Sequence, residues 1–86
     1  MSNPQLELDS ALWAMSLVSG VHVYNGDNSP GLGWFVERRY PRVVGEPQGT
    51  GPFRTLRDAA YCAADWARAD GFTDVADALR TVLDRH

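Results

Sequence analysis

Apolar residues recur at helical spacing at both ends of the chain and alternate in its middle. Near the N-terminus, Asn3 and Pro4 are typical of a helix start and Gly20 of a helix end. One apolar stripe between them comprises Leu8, Ala11, Leu12, Met15 and Val18. A second stripe lies on nearly the opposite side and comprises Leu6, Trp13 and Leu17. The pattern predicts a first helix with two apolar faces.

The middle of the chain alternates with the period of β-strands. The predicted order is strand 21–24, turn 25–31, strand 32–40, strand 42–47 and loop 48–52. In the longest of these strands, Trp34 and Val36 face one way, and Phe35, Glu37 and Arg39 face the other. The short spacings between the strands predict an antiparallel meander.

Residues 55–71 predict a second helix with a marked start and end. Thr55 is a natural N-cap, Asp58 occupies the third helical position, and Gly71 is a typical end. One broad face consists of small and apolar side chains, namely Leu56, Ala59, Ala60, Ala63, Ala64 and Ala67. Because alanine is small, we expect this face to approach the sheet closely.

A third helix is predicted over residues 74–85. Thr73 is its N-cap. Its apolar face comprises Val75, Leu79, Val82 and Leu83. At 86 residues the chain has material for one small domain, residues 1–86. The predicted fold class is α+β, with a three-stranded antiparallel sheet packed with helices in the order α-β-β-β-α-α.

The net charge of −3 is unevenly distributed. Residues 1–33 carry −3, residues 34–57 carry +3 and residues 58–86 carry −3, so a basic middle separates two acidic ends. All eight basic residues are arginines, which excludes chemistry that requires a lysine, such as Schiff-base formation. An acidic domain with a basic centre favours a charged protein partner over nucleic acid.

The sequence contains no strong catalytic, cofactor or metal-binding motif. Cys62 and His22 are the candidates for a nucleophile and a base, but a cysteine within an alanine-rich helix is usually a packing residue. We therefore expect a protein that is not an enzyme and needs no cofactor or metal. We predict a cytoplasmic protein from three features of the sequence. It has a single cysteine, it has no apolar run long enough to span a membrane, and no basic residue precedes its first apolar stretch.

Three groups of residues are candidates for contact with a partner. Arginine and tyrosine anchor many interfaces, and such residues here are Arg38, Arg39, Arg57 and Tyr61. The alternative for the arginines is that they are solvated and pair with nearby acids. The acidic group comprises Asp65, Asp70 and Asp84, which would face an arginine-rich surface of a partner.

Trp13 is the third candidate, because one docking face cannot bury both stripes of the first helix. Either other elements of the same chain cover its stripe, or the stripe forms an interface, as a homodimer or with a partner. The sequence favours the interface, since so short a chain has little material with which to cover it.

Two resemblances add to this interpretation. The order α-β-β-β-α and the run GEPQGTGPFRTLRDAAYCAA, residues 45–64, resemble a double-stranded RNA-binding domain in outline over residues 4–70. That family grips phosphates with lysines at the start of its last helix, where this chain has Arg57 beside Asp58. The resemblance implies a nucleic-acid-binding module as the alternative function.

The run GWFVERR followed by GPFRTLRDAAYCAADWA resembles small β-meander-plus-helix proteins of bacteria and their phages. In size and acidity the chain is also similar to phage-borne inhibitors of host defence, a class that includes the anti-CRISPR proteins. This resemblance of class implies a non-catalytic inhibitor that occupies a surface of a host protein or ribonucleoprotein complex.

Overall fold

The computed structural model describes residues 4–26, 33–39 and 48–85. Its elements are α1 (Pro4–Ser19), β1 (Val21–Asn25), β2 (Trp34–Arg38), β3 (Gly49–Phe53), α2 (Leu56–Ala69) and α3 (Thr73–Arg85). The strands form an antiparallel sheet in the order β1-β2-β3. The predicted α+β class and the order α-β-β-β-α-α are confirmed.

A single glycine turns the chain from α1 into β1. Gly20 has φ of 76°, a conformation that glycine adopts without steric cost, and its N–H donates to the Ser16 carbonyl. The buried Ser19 hydroxyl donates to the Met15 carbonyl at 2.6 Å and accepts from the Val21 N–H at 3.1 Å. Because only one residue links them, α1 and β1 lie side by side, run in opposite directions and are in contact.

The third strand differs from its prediction. Residues 48–52 were expected to form a loop, but Gly49–Phe53 pair with β2 as β3. Its glycines conceal the strand pattern because they have no side chains to alternate. A Cβ on Gly51 would lie 2.7 Å from the Phe35 ring, so glycine allows the two strands to approach. The strand predicted over 42–47 lies outside the described residues.

The helices form two further layers above the sheet. α2 packs against all three strands, α1 packs against β1, and α3 packs against α1 and α2. The buried core consists of Met15, Val21, Val36, Ala59, Ala60, Ala63, Ala64, Ala67, Ala76, Leu79 and Leu83. The alanine face of α2 therefore contacts the sheet, as predicted, and it is the largest single contribution to this core.

The first helix buries the predicted stripe except at its end. Met15 is fully buried, and Leu8, Ala11 and Leu12 pack against the core. Val18 is 54% exposed, because it lies at the edge of the stripe, where the last turn of α1 passes the core. The prediction that Val18 belongs to the docking face is wrong.

A buried ion pair joins the end of β2 to the end of α2. Arg38 Nε lies 2.9 Å from Asp70 Oδ2, and Arg38 Nη2 lies 3.1 Å from Asp70 Oδ1. The two side chains are only 7% and 6% exposed. The Arg38 guanidinium also lies over the Trp66 ring, 4.3 Å from its centroid. The pair thus has the bidentate geometry that makes an arginine–carboxylate contact strong.

The expectation that Arg38 and Asp70 face a partner is corrected by this pair. Arg38 shares the alternation of Trp34 and Val36, so its side chain points to the core face of the sheet. Asp70 is the C-cap of α2, where the helix dipole disfavours a carboxylate and a cation must compensate. Neither side chain is available to a partner.

We predict that Asp70→Ala lowers the free energy of unfolding by about 3–5 kcal/mol, because it leaves a buried guanidinium without its carboxylate. Chemical denaturation measures this value. The matched control is Asp65→Ala, which removes an exposed pair with Arg80 and should cost less than about 1 kcal/mol. Equal losses in the two variants would show that the Arg38–Asp70 pair has no special structural role.

Candidate protein-binding surface

The second apolar stripe of α1 is exposed. Leu6 is 63% exposed, Trp13 68% and Leu17 59%, and we call these three residues the α1 ridge. The core face of α1 is occupied by Met15 and its neighbours, so the ridge points away from the core. No element in the described part of the chain covers it. One of the two predicted alternatives was that other elements of the same chain cover this stripe. Within residues 4–26, 33–39 and 48–85, no element does so.

A groove runs beside the ridge, between α1 and β1. Its volume is about 460 Å³, within the usual range for ligand sites. It is lined by Gln5, Asp9, Leu12, Trp13, Ser16, His22, Val23, Trp34, Arg39 and Leu56. We call it the α1–β1 groove. Trp13 belongs to both the ridge and the groove, so the two features form one continuous surface.

Arg39 is the predicted basic residue that this surface includes. It is exposed, lines the α1–β1 groove and forms no ion pair with any described residue. Its N–H donates to the Gly20 carbonyl at 2.8 Å, which fixes its backbone at the point where β1 begins. The structure thus brings together Trp13 and Arg39 of the predicted partner-binding residues.

The other predicted residues lie elsewhere. Arg38 and Asp70 form the buried pair described above. The remaining four, Arg57, Tyr61, Asp65 and Asp84, lie with Arg80 in the seam between α2 and α3. We call this set the α2–α3 seam, and it comprises Arg57, Tyr61, Asp65, Arg80 and Asp84. The Arg57 guanidinium donates to the Leu83 carbonyl at 2.5 Å, and Arg80 pairs with Asp65 at 2.9 Å. These contacts link the two helices to each other. The hydrogen-bonding capacity that was expected to meet a partner is partly used inside the chain.

Tyr61 is the centre of the α2–α3 seam. Its hydroxyl donates to Asp84 Oδ1 at 2.5 Å, and the guanidinium carbons of Arg57 and Arg80 lie 5.5 and 5.7 Å from its ring centroid. The hydrogen bond to Asp84 raises the pKa of Tyr61 above its ordinary value of 10.0, and desolvation adds to this effect. The contact therefore stabilises the fold below pH 10 and is lost as the pH rises through the raised pKa.

The candidate nucleophile and base do not form a catalytic pair. Cys62 belongs to α2 and packs against the core on the inner face of the sheet. Its thiol has a raised pKa, chiefly through desolvation and then through the Asp65 carboxylate, which opposes formation of the thiolate. His22 alternates with Val21 and Val23 and so belongs to the outer face. The sheet separates the two side chains.

His22 has an unusual environment on that outer face. Its Nδ1 is buried and has no hydrogen-bond partner among the described residues, while its Nε2 lies 3.8 Å from Glu37 Oε1. The ring lies 5.7 Å from that of Tyr24, which in turn stacks on Phe35 at 5.5 Å. This row of rings continues from the rim of the α1–β1 groove across the outer face.

Most residues of the α1–β1 groove could not be assigned to a site from the sequence. Gln5, Asp9 and Ser16 have no motif of their own, and they meet β1 only because Gly20 folds α1 back along it. The sequence signal for the groove was the one-residue link at Gly20, which joins the first helix directly to the first strand of the meander, an edge strand.

Comparison with models of known families, with curated proteins and with solved structures found no match. None of the helices in the described ranges has the length and apolar character needed to cross a membrane.

We predict that Asp84→Asn lowers the pKa of Tyr61 towards 10.0, because it removes the carboxylate that holds the phenolic proton. NMR titration of the Tyr61 ring carbon that bears the hydroxyl measures this pKa. Asp77→Asn is the control, since Asp77 pairs with Arg68 on the same side of α3 and does not bond Tyr61. An unchanged Tyr61 pKa in Asp84→Asn would contradict the assigned hydrogen bond.

Proposed function

We propose that this protein is a non-catalytic binding module that docks onto another protein through the α1 ridge and the adjoining α1–β1 groove. The observation that carries the proposal is the exposure of the ridge, in which Trp13 is 68% exposed beside two exposed leucines. A row of large apolar side chains costs free energy in water and usually marks a contact surface. Tryptophan is also the residue type most enriched among interface hot spots.

The kind of partner follows from the size and charge of the chain. A domain of 86 residues with a net charge of −3 suits an inhibitor that covers part of a larger host protein or ribonucleoprotein complex. We therefore propose a phage- or prophage-encoded inhibitor of the anti-CRISPR kind as the most specific form of this function. The exposed apolar surface supports a protein as the partner. The size and net negative charge of the chain support the inhibitor class.

A nucleic-acid-binding module of the double-stranded-RNA-binding type is the competing function. It requires arginines that are free to contact phosphates. Arg38 is buried against Asp70, and Arg57 donates to the Leu83 carbonyl, so two of the candidates are already engaged. Arg39 and Arg54 remain exposed, but Arg39 lines a groove that adjoins the apolar α1 ridge. The contacts favour a protein partner.

The ridge is tested by affinity capture with the immobilised protein from a lysate of the bacterial host. A protein retained by the wild type should bind Trp13→Ala with a loss of about 2 kcal/mol or more, about thirty-fold in Kd. Ala14→Ser, at an exposed site on the same helix, should bind like the wild type. Thermal melts should be equal for all three, because Trp13 is outside the core.

Two results would contradict this proposal. One is equal binding of the retained protein by Trp13→Ala and the wild type. The other is self-association of the purified chain, seen by analytical ultracentrifugation and abolished in Trp13→Ala, which would make the α1 ridge a homodimer interface.

Gel-shift titrations with duplex RNA and duplex DNA test the competing function. We predict no shift at physiological salt, because the exposed Arg57, Arg68 and Arg85 are bonded within the chain and the chain is acidic overall. A submicromolar shift that weakens steeply with salt, and weakens further in Arg39→Ala and Arg54→Ala, would support nucleic acid as the partner instead.

A further inference from the structure

The outer edge of β1 carries main-chain groups in a defined pattern. The Arg39 N–H donates to the Gly20 carbonyl and the Gly26 N–H donates to the Gly33 carbonyl, so these even-numbered positions bond towards β2. In an antiparallel ladder, the positions between them turn their N–H and C=O groups to the other side. Val21, Val23 and Asn25 therefore direct their main-chain groups away from β2, to the free edge.

Only one of these outward groups is satisfied within the described part of the chain. The Val21 N–H donates to the Ser19 hydroxyl. The carbonyl of Val21 and both groups of Val23 and Asn25 have no main-chain partner there. An open strand edge of this kind is a template for another strand. β1 thus offers two donors and three acceptors to an extended segment.

The α1–β1 groove gives this edge a second wall. Leu12 and Trp13 of α1 face it from one side, and Val23 lines it from the strand. A second copy that paired through its own β1 edge would bring its own α1 to the same place, because α1 and β1 are in contact within each copy. A single extended peptide segment does fit, since it needs only the width of one strand beside β1.

The charges along the groove differ between its two ends. Arg39 lies where β1 begins, beside Gly20. Asp9 lies ten residues before the end of α1, about 15 Å along the helix, while β1 spans about 13 Å. Because α1 and β1 run in opposite directions, Asp9 lies near the level of Asn25. The groove therefore presents a cation at one end and a carboxylate at the other.

We propose that β1 binds an extended segment of the partner protein by strand addition in the α1–β1 groove. The segment pairs antiparallel to β1, with a basic side chain towards Asp9 and an acidic side chain towards Arg39, about four residues apart. Apolar side chains between them contact Leu12, Trp13 and Val23. This inference rests on the proposed function, because it specifies which part of a protein partner occupies the surface.

Random linear peptides displayed on yeast are the probe, selected against the whole protein. The enriched sequences should place a basic residue N-terminal to an acidic one across an apolar stretch. Selected peptides should slow hydrogen exchange at the amides of Val23 and Asn25. Exchanging the charges with Asp9→Arg and Arg39→Glu together should reverse the preferred order of charges.

Asn25→Pro separates strand addition from mere occupancy of the groove. It removes an outward N–H without touching the ladder to β2, and proline is tolerated at such edge positions. Selected peptides should lose at least about tenfold in affinity for Asn25→Pro but stay within about twofold for Asn25→Ala, which keeps the N–H. Thermal melts establish that both variants are folded.

Strand addition is overturned if no peptide is enriched, or if Asn25→Pro and Asn25→Ala bind the selected peptides equally. If Trp13-dependent capture of a protein persists in that case, the proposed function stands and only the strand addition fails. If that capture is also absent, both proposals fail.

Discussion

The buried pair of Arg38 and Asp70 holds the end of β2 against the end of α2, and the packing of the molecule depends on this contact. Hydrogen bonds of 2.9 and 3.1 Å join the guanidinium to both oxygens of the carboxylate, and the guanidinium lies over the Trp66 ring. The pair ties the C-terminal end of α2 to the end of β2 on the core face of the sheet. The buried alanine residues let α2 lie close to the strands, because none of their side chains extends beyond a methyl group.

One consequence concerns the distribution of charge in the folded molecule. The basic middle of the sequence has the charge of a recognition patch, yet its described arginines have different environments: Arg38 is buried, Arg57 bonds to a carbonyl and Arg39 is exposed. Arg38 stabilises the core, Arg57 joins α2 to α3, and Arg39 alone among these three reaches the α1–β1 groove. On the side of the molecule formed by α2 and α3, the polar side chains of the α2–α3 seam thus bond within the chain. The side formed by α1 and β1 leaves apolar side chains and main-chain groups exposed.

The helices were predictable from the sequence because each has its own boundary residues and period. Thr55 accepts from the Asp58 N–H as the capping pattern predicts, and α2 ends before Gly71, which has φ of 97°. β3 was not predictable, since Gly49 and Gly51 contribute no alternation. Gly51 lets the Phe35 ring approach the strand. Strand period alone was sufficient to place Arg38 on the core face, but its charge favoured a surface assignment. The α1–β1 groove depends on contacts between distant residues, and its sequence signal was confined to the one-residue link at Gly20.

The most direct test of the account is the exchange of the Arg38 side-chain Nε–H with water, measured by proton–nitrogen NMR on the unmodified protein. Because this proton is bonded to Asp70 Oδ2 and buried, its signal should persist at neutral pH. The Nε–H of the exposed Arg39 should exchange too fast to be seen under the same conditions. Exchange at Arg38 as fast as at Arg39 would contradict the buried pair and, with it, the arrangement of helices and sheet described for this protein.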